Sequence, residues 1–569
     1  MSADTFSFQS SLAPQVNDFI MASRQFTWIG DSNGTSYPSG QIVFDLAGLS
    51  NSGKFIDWSQ TNLVIPLVLN VQNTSAVAGG FGANVIENAF CASFKNGFHH
   101  LIHSMSVEIT NNQVVSLTPF SNLDINFRLL TKSCYDDMLN FAPSFQFSKD
   151  NAESINYSAG PVAGGQAVAQ PNGPGEYNNK IAQHLFNPTE GYMNGAYQVN
   201  DGRLKRMNVT SYDATQASQP IYTTQQMCNQ VGKASVVYSA QNITYYALAT
   251  IPLRMLHDIF RKLPLTMGMY VRLTINTNTA CMVTIGTTPV NGLVPASYTN
   301  NTLQVSSQNS IIPFMLSPVG AGGGFNCGAS TQITATLGIA RGYQGAIGFT
   351  HPTLQQCRIY ACMYDMSPSF ASTYLSNMSV KKILYNDILS FQSTNIPPNT
   401  PQSQILTNGI SRPRYLIGIP QLASAFVPNG GTGTGYGPMA SPFSSAPGTC
   451  CPQARLINFN VLLSGTNLYQ NAYTMNFESF LQELRQCNCL NGGLDLGISN
   501  GLISQSDWEN GYGFVFVNLD RKDSQANDDI SRTIQVQYTN GSNVALDIFW
   551  LIGFERAIAI NTSTGSLVI

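Results

Sequence analysis

The sequence predicts an all-β protein built from two β-sandwiches in tandem. Short runs rich in Val, Ile, Thr, Tyr and Phe recur along the 569 residues, and Gly, Pro, Asn and Ser separate these runs. Helical periodicity is confined to a few short segments. The length suits two large β-domains, because a single β-sandwich often reaches about 200–250 residues.

The strand candidates form two series on either side of a Gly-, Asn- and Ser-rich break at residues 286–330. We therefore predict a first sandwich over residues 26–300 and a second over 301–569, preceded by an N-terminal arm of residues 1–25. The first-half candidates are residues 41–46, 63–69, 102–109, 245–251, 269–276 and 282–285. The second-half candidates are residues 332–339, 357–364, 383–391, 415–419, 457–463, 513–519, 533–538 and 546–553.

Three segments have helical spacing. Residues 252–262 begin with Pro252, which suits the first turn of a helix, and they place apolar residues on one stripe. Residues 475–485 have the same spacing, and residues 123–139 are partly helical. Each segment predicts a short amphipathic helix lying on a sheet.

Two long segments carry few strand signals and predict loop insertions. Residues 142–235 include a Gly-, Pro- and Asn-rich stretch, and residues 425–452 include a run of glycines. Loops longer than about 15 residues are uncommon in compact domains and are usually functional or disordered. We expect one insertion in each sandwich.

The charged fraction is only 10%, against about 25% in typical soluble domains. A transmembrane segment is not predicted, because the most apolar stretch, residues 544–560, contains Asp547, Glu555 and Arg556. Disorder is not predicted either, since aliphatic and aromatic residues are spread along the chain. A neutral polar surface of this kind is typical of a subunit that buries much of it against copies of itself.

The net charge is −3, and the first 23 residues contain no Lys or Arg. Binding to nucleic acid requires many cationic contacts with phosphates, so we expect no direct, sequence-specific nucleic-acid binding. The first residues lack the basic and apolar regions of a signal peptide. The eleven cysteines are an odd number, and we expect mostly free, buried thiols.

Two segments match the spacing of a phosphate-binding loop and of a nucleophilic serine motif, but the residues around them do not fit either motif. Gly48 to Lys54 has the spacing of a phosphate-binding loop, but Phe55 stands where Ser or Thr would hold magnesium, and a strand follows in place of a helix. Ser499 lies in a G-x-S-x-G pattern, but no His follows it in the chain. We interpret both segments as turns.

A histidine cluster invites a metal interpretation. His99, His100 and His103 precede Glu108, but on a strand only His99 and His103 would share a face. The one-apart pair of jelly-roll metalloenzymes is missing. The other histidines, His184, His257 and His351, have no ligand-like neighbours, so a structural role is favoured.

Two further sets of residues have simpler interpretations than a site. The pairs Cys450–Cys451 and Cys487–Cys489 lack the spacing of a structural zinc site, and ordinary thiols are favoured. The pairs Asp136–Asp137 and Asp528–Asp529 suit helix caps or solvated turns. We expect no catalytic, cofactor-binding or metal-binding residues, and no cofactor.

Residues 101–139 carry a more specific signal. They begin LIHSMSVEIT, continue NNQVVSLTPFSN, and end LTKSCYDDML after a short helix. This order resembles the first jelly roll of major capsid proteins of Polinton-like viruses and virophages. In that family an L-I-x-S-x-x-V strand, an N-x-x-V-V hairpin and a T-P-F-x-N segment precede a helix with a Ser-x-x-Asp-Asp stretch, which Asp136 and Asp137 fit here. Residues 414–420 and 554–560 resemble family segments more weakly.

The resemblance implies a double jelly roll, with two eight-stranded sandwiches per chain standing upright in an icosahedral shell around double-stranded DNA. It implies homotrimers that form pseudo-hexagonal capsomers, together with penton and minor capsid proteins. The chain would then be located in the virion, and it would not be an enzyme. Long loops at one end of the sandwiches could form an outer crown.

Three alternatives remain. A receptor-binding spike or lectin-like β-protein predicts fibrous repeats or clustered tryptophans, whereas the four tryptophans are scattered. A jelly-roll metalloenzyme predicts stoichiometric metal. A single-jelly-roll capsid protein with a projecting domain is the nearest competitor, but the strand-rich second half argues against it.

Overall fold

The computed structural model describes seventeen ranges of the chain. They are residues 20–34, 37–73, 90–145, 147–150, 206–209, 220–221, 235–239, 242–287, 303–318, 331–339, 356–377, 379–423, 438–440, 445–451, 454–487, 501–520 and 530–568.

Strands dominate the described residues. In the first part of the chain they are β1 Met21–Gly30, β2 Gln41–Asp45, β3 Phe55–Asn73, β4 Phe90–Phe94, β5 Ile102–Ile109, β6 Asn112–Val115, β7 Met207–Val209, β8 Pro220–Ile221, β9 Ser235–Ser239, β10 Asn242–Pro252, β11 Val271–Thr277, β12 Cys281–Thr287, β13 Leu303–Ser306, β14 Phe314–Pro318, β15 Thr331–Ile339 and β16 Arg358–Met366. The remainder are β17 Val380–Ile396, β18 Pro401–Ile410, β19 Pro413–Leu422, β20 Leu456–Leu463, β21 Thr466–Asn467, β22 Val515–Asn518, β23 Arg532–Asn540, β24 Leu546–Asn561 and β25 Leu567–Val568.

Helices are short and lie in the connections. They are α1 Ala47–Ser50, α2 Ser121–Lys132, α3 Tyr135–Phe145, α4 Leu253–Leu256, α5 Ile259–Lys262, α6 Pro368–Asn377, α7 Phe477–Arg485 and α8 Gln505–Asn510, with a 3-10 turn at Phe98–Leu101. In the described part of the chain, none of these helices is long and apolar enough to cross a membrane.

The first half contains eight strands in jelly-roll order. One sheet places β1, β16, β3 and β10 side by side, and the facing sheet has the order β2-β11-β5-β6. If the eight strands β1, β2, β3, β5, β6, β10, β11 and β16 are numbered along the chain, the two orders are 1-8-3-6 and 2-7-4-5. This alternation between facing sheets defines a jelly roll.

The second half repeats the same order. Its sheets are β17-β24-β19-β22 and β18-β23-β20-β21, which are again 1-8-3-6 and 2-7-4-5 for β17 to β24 taken in order. Each half is therefore an eight-stranded jelly roll, and we call them the first roll and the second roll. The predicted pair of tandem eight-stranded sandwiches is confirmed.

Strand pairing divides the chain between β16 and β17, later than the boundary predicted at residue 300. β12 and β15 pair with each other, and β15 pairs with β3 in the first roll. The Gly-rich break at 286–330 therefore lies inside the connection between the seventh and eighth strands. At the other end, β1 begins within the predicted arm of residues 1–25, of which residues 1–19 lie outside the described part.

Because neighbouring strands are antiparallel, the connections that follow odd-numbered strands lie at one end of each roll and those that follow even-numbered strands lie at the other. Odd-numbered strands of each roll run one way and even-numbered strands the other. The long connections, residues 74–101, 116–241, 278–357, 423–455 and 468–514, all follow odd-numbered strands and leave from one end, the loop end. The predicted insertions at 142–235 and 425–452 fall in these connections, largely outside the described residues. We call the opposite end the short end.

Two of the predicted helices need a comment. Residues 252–262 form α4 and α5 in place of one helix, because His257 between them is extended. The predicted helix at 475–485 is confirmed as α7, which starts after Asn476, whose side chain accepts a hydrogen bond from the N–H of Ser479. The partly helical segment 123–139 is confirmed as α2 and α3.

Candidate functional site

The two rolls meet along a junction built around α2. Phe127 on this helix is buried, lies 5.2 Å from the ring of Phe514 and stacks at 5.6 Å on Phe516 of the second roll. Phe516 in turn stacks on Tyr415 at 5.9 Å. These aromatic contacts join a helix in a first-roll connection to two strands of the second roll, so one hydrophobic cluster continues through both.

A buried carboxylate ties the rolls together midway. Asp387 on β17 lies 3.3 Å from Nε2 of His257 in the first roll and accepts a hydrogen bond from Arg556 at 2.9 Å. Burial alone would raise the pKa of Asp387, but its hydrogen bonds from His257 and Arg556 hold it below the usual 3.8. Arg556 also donates to the carbonyl of Val114, at 2.9 Å.

At the loop end the junction is fixed by a buried lysine. The ammonium of Lys95 donates to the carbonyl oxygens of Ala446 at 2.6 Å, Met439 at 3.1 Å and Pro438 at 3.4 Å. Burial lowers its pKa well below 10.5. Lys95 lies in the connection after the third strand of the first roll, and its acceptors lie in the equivalent connection of the second roll.

A second polar contact lies close to α8. Lys149 pairs with Asp507 at 2.5 Å, and Tyr512 donates to the carbonyl of Asp150 at 2.8 Å. Asp150 also forms a fully buried ion pair with Arg206 at 2.6 Å. These bonds connect the long first-roll connection after β6 with the second roll.

The backbones come very close where α2 meets the second roll. The N–H of Leu502 donates to the carbonyl of Leu130 at 2.8 Å. A Cβ on the adjacent Gly501 would lie 2.4 Å from that same oxygen, and Gly501 has φ of +71°. Only glycine fits this approach.

The short end is joined as well. The N–H of Met267 in the first roll donates to the carbonyl of Thr562, and Thr110 donates to that of Gly565. Loop end thus meets loop end and short end meets short end. The rolls stand side by side in the same sense, held by apolar, ionic and backbone contacts along their length.

The phosphate-loop spacing does not build an anion site. After α1 the chain turns at Gly53, and β3 begins at Phe55 where a phosphate loop needs a helix. The ammonium of Lys54 is engaged with Gln25 at 2.6 Å and Asp365 at 3.1 Å. The interpretation as a turn is confirmed.

Two of the clustered histidines are packed as neutral rings. His99 and His100 are fully buried in the 3-10 turn, 4.1 Å apart, and hydrogen bond to Asn126 and Asn122. Burial lowers the pKa of His99 to about 3 and that of His100 well below 6.5. The strand predicted at residues 102–109 is confirmed as β5, and His99 lies before it in the 3-10 turn, so His99 and His103 do not share a strand face.

The remaining candidates are dispersed. His103 packs on Phe120 at 5.0 Å, and Glu108 lies at the far end of β5. Cys450, Cys451 and Cys487 are buried, as predicted. Within the described ranges, no three His, Cys, Asp or Glu side chains are grouped as a metal site would require.

The paired aspartates begin a helix. Asp136 and Asp137 lie in the first turn of α3, and Asp137 accepts a hydrogen bond from the N–H of Cys134 at 3.0 Å. The prediction of a helix-cap position is confirmed here. Six candidate residues lie outside the described residues, namely His184, His351, Cys489, Ser499, Asp528 and Asp529.

Comparison with known proteins agrees with the strand order. A chain of the Sputnik virophage structure, determined by cryo-EM at 3.5 Å, aligns with a TM-score of 0.50 and 11% identity over 97% of this chain and 89% of that chain. The chain is a double jelly roll. No family model and no curated protein matches it.

Two further structures are similar over the whole length. The Faustovirus major capsid protein aligns with a TM-score of 0.41 and 11% identity, covering 98% of this chain and 94% of that one. The crystal structure of PBCV-1 VP54, fitted into a Sputnik reconstruction, aligns with a TM-score of 0.40 and 10% identity, covering 98% and 99%.

Proposed function

We propose that this double jelly roll is the major capsid protein of an icosahedral double-stranded DNA virus. The observation that carries the proposal is the junction, which holds two jelly rolls side by side in the same sense. A chain of this kind presents two similar walls in a fixed orientation. Three such chains around a threefold axis form a pseudo-hexagonal block of six rolls.

The position of the long connections supports the same role. All of them leave from the loop end, and the connections at the opposite end are shorter. In a shell, the loop end would face outward as a crown and the short end would face the interior. The chain's role would then be structural, in the virion, with penton and minor capsid proteins as partners at the vertices and between capsomers.

We propose that the edge strand β1 contributes to the contact between copies. Among the residues that the structure describes, β1 pairs with β16 alone, and its other edge has no strand partner there. Phe26 and Trp28 on one face of β1 are 56% and 49% exposed, and Arg24 and Arg358 lie over their rings at 4.8 and 4.3 Å. Exposed aromatic and arginine side chains of this kind are enriched at interface hot spots.

Sedimentation of the purified chain tests this proposal. We expect a stable species of three times 61.6 kDa at micromolar concentration. The Phe26→Ser/Trp28→Ser double variant should dissociate to monomers, whereas Phe370→Ser, which removes a ring that is 37% exposed on α6, should remain trimeric. A wild-type chain that stays monomeric at high concentration would contradict the assembly. Trimers unaffected by the double variant would place the contact elsewhere.

A further inference from the structure

A groove of about 420 Å³ on the first roll is lined by an unusual number of cations. It lies between the C-terminal part of α2, the start of α3 and the connection that contains α4 and α5. Its charged lining residues are Arg128, Lys132, Arg254, Arg261 and Asp137. Four of the chain's 27 Lys and Arg residues therefore line one groove, in a protein with only 10% charged residues.

The acidic groups near the groove are already engaged. Asp124 pairs with Arg128 at 2.6 Å. Asp137 accepts from the N–H of Cys134 at 3.0 Å, and Asp258 accepts from the N–H of Asn386 at 3.2 Å. None of these carboxylates forms an ion pair with Lys132, Arg254 or Arg261 among the described residues.

The cations divide into structural and free groups. Arg128 also donates to the carbonyls of Met255 and Leu256, so it holds α2 against α4. Arg261 uses its Nε–H on the carbonyl of Arg254 at 3.1 Å. The side chains of Lys132 and Arg254 have no hydrogen-bond or ion-pair partner among the residues that the structure describes.

The electrostatics of the groove favour an added anion. Desolvation and the guanidinium groups of Arg128 and Arg261 lower the pKa of Lys132 to about 8, although Asp258 and Asp124 act in the opposite direction. Desolvation and Arg128 also lower the pKa of Arg261. Cations that depress one another's pKa gain stability when an anion enters between them.

We propose that this groove binds a phosphate group, with Lys132 and Arg254 as its principal donors and Arg261 in support. The planar fork of an arginine matches two phosphate oxygens, and a lysine adds a point charge. Several cations around one pocket suit a phosphate monoester, with its charge of about −1.5 to −2, better than a single carboxylate. An extended nucleic acid fits less well, since it requires a track of cations.

Titration of the full chain with inorganic phosphate tests the proposal. Calorimetry at pH 7.5 should show saturable binding at millimolar phosphate, weakened at least tenfold in Lys132→Gln/Arg254→Gln. Lys382→Gln on β17 removes a charge that does not line the groove and should bind as the wild type does. Equal binding by wild type and double variant, or no saturable binding by the wild type, would overturn the proposal.

The pH dependence of the affinity distinguishes phosphate bound by Lys132 from nonspecific electrostatic attraction to the groove. Wild-type affinity should fall between pH 7.5 and 9, because Lys132 loses its proton around pH 8 in the free protein. Lys132→Arg should retain phosphate binding, unlike the glutamine variant, and its affinity should decline less over this pH range. An identical decline in both proteins would remove Lys132 from the site.

Vesicles identify the source of the phosphate group. Binding to phosphatidylcholine vesicles that contain phosphatidic acid, lost in the double variant, would identify a lipid headgroup. Binding of inorganic phosphate without vesicle binding would identify a soluble phosphate ester. Binding of a DNA duplex without binding of inorganic phosphate would contradict the proposal. Because the chain itself is titrated, these results are independent of capsid assembly.

Discussion

The two rolls share one strand order but differ in what their connections carry. The connections of the first roll contain the additional strands β4, β7 to β9 and β12 to β15, and several of these extend the roll's own sheets. The described connections of the second roll carry mainly α7 and α8. The same topology therefore forms with and without large additions, so the strand order of a roll does not depend on them.

The two rolls also differ in where their buried cationic side chains lie. The buried Lys and Arg residues among those described, Lys95 and Arg206, both lie in first-roll connections. Both bond to groups that bring the rolls or their connections together. The second roll has its own apolar cluster, in which Trp550 packs on Phe459 and Tyr538. The junction therefore depends on the first roll's connections, whereas the second roll has an apolar cluster of its own.

Among the substitutions, removing the central aromatic of the junction should have the largest effect. Phe127→Ala deletes a fully buried ring between the rolls and should lower the free energy of unfolding by about 3–5 kcal/mol. It should also split thermal unfolding into two transitions, because the rolls lose their shared cluster. Differential scanning calorimetry measures both effects.

Phe459→Ala is the matched control, because this ring is equally buried but lies within the second roll's own cluster. It should destabilise that roll without uncoupling it from its neighbour. If Phe127→Ala unfolds like the wild type, the junction does not couple the rolls.

A glycine in the second roll should have the next largest effect. A Cβ at Gly553 on β24 would lie 2.2 Å from the ring of Tyr415, so Gly553→Ala should cost about 1–3 kcal/mol through overpacking. Gly409→Ala on β18 meets nothing within 4 Å and should change stability by less than about 0.5 kcal/mol. Urea denaturation compares them, and equal midpoints would contradict the packing described for this sheet.

Lowering the pH should destabilise the first roll more than the second. All six histidines precede residue 352, and His99 and His100 have pKa values far below 6.5 in the fold. In the unfolded chain these imidazoles are protonated below about pH 6.5, whereas in the fold they stay neutral. The free energy of unfolding therefore falls as the pH drops below about 6.5. Each buried ring contributes about 1.4 kcal/mol per pH unit.

Urea denaturation between pH 7 and 4.5 measures this slope before the carboxylates titrate. His100→Gln, which retains an amide for Asn122, should reduce the slope. A stability that does not change over this range in the wild type would show that the two rings are not buried as neutral groups.

Much of the fold follows from local sequence patterns. Strands such as β5 and β23 are marked by β-branched and alternating residues, and α7 by its spacing and its Asn476 cap. β1 was not among the predicted strands, although Phe26, Thr27 and Trp28 alternate apolar and polar residues. Its apolar residues Phe26 and Trp28 are exposed. The glycine-rich break resembles a domain linker, since composition alone does not tell a long connection from a boundary.

The junction was hardly predictable. Phe127 and Phe516 are far apart in sequence, and nothing local distinguishes them from ordinary core residues. Nothing in the sequence around Lys95 indicates its role in the junction, because that role depends on three carbonyl groups more than 340 residues away. The length and the two series of strand candidates indicated two sandwiches, and the resemblance over residues 101–139 indicated that they are jelly rolls.

Electron microscopy of the purified chain tests the central claim most directly. If the two rolls stand side by side to build a shell, class averages should show trimers with a hexagonal outline and a raised face, or closed icosahedral shells. A uniform population of single two-lobed particles at high protein concentration would contradict the account.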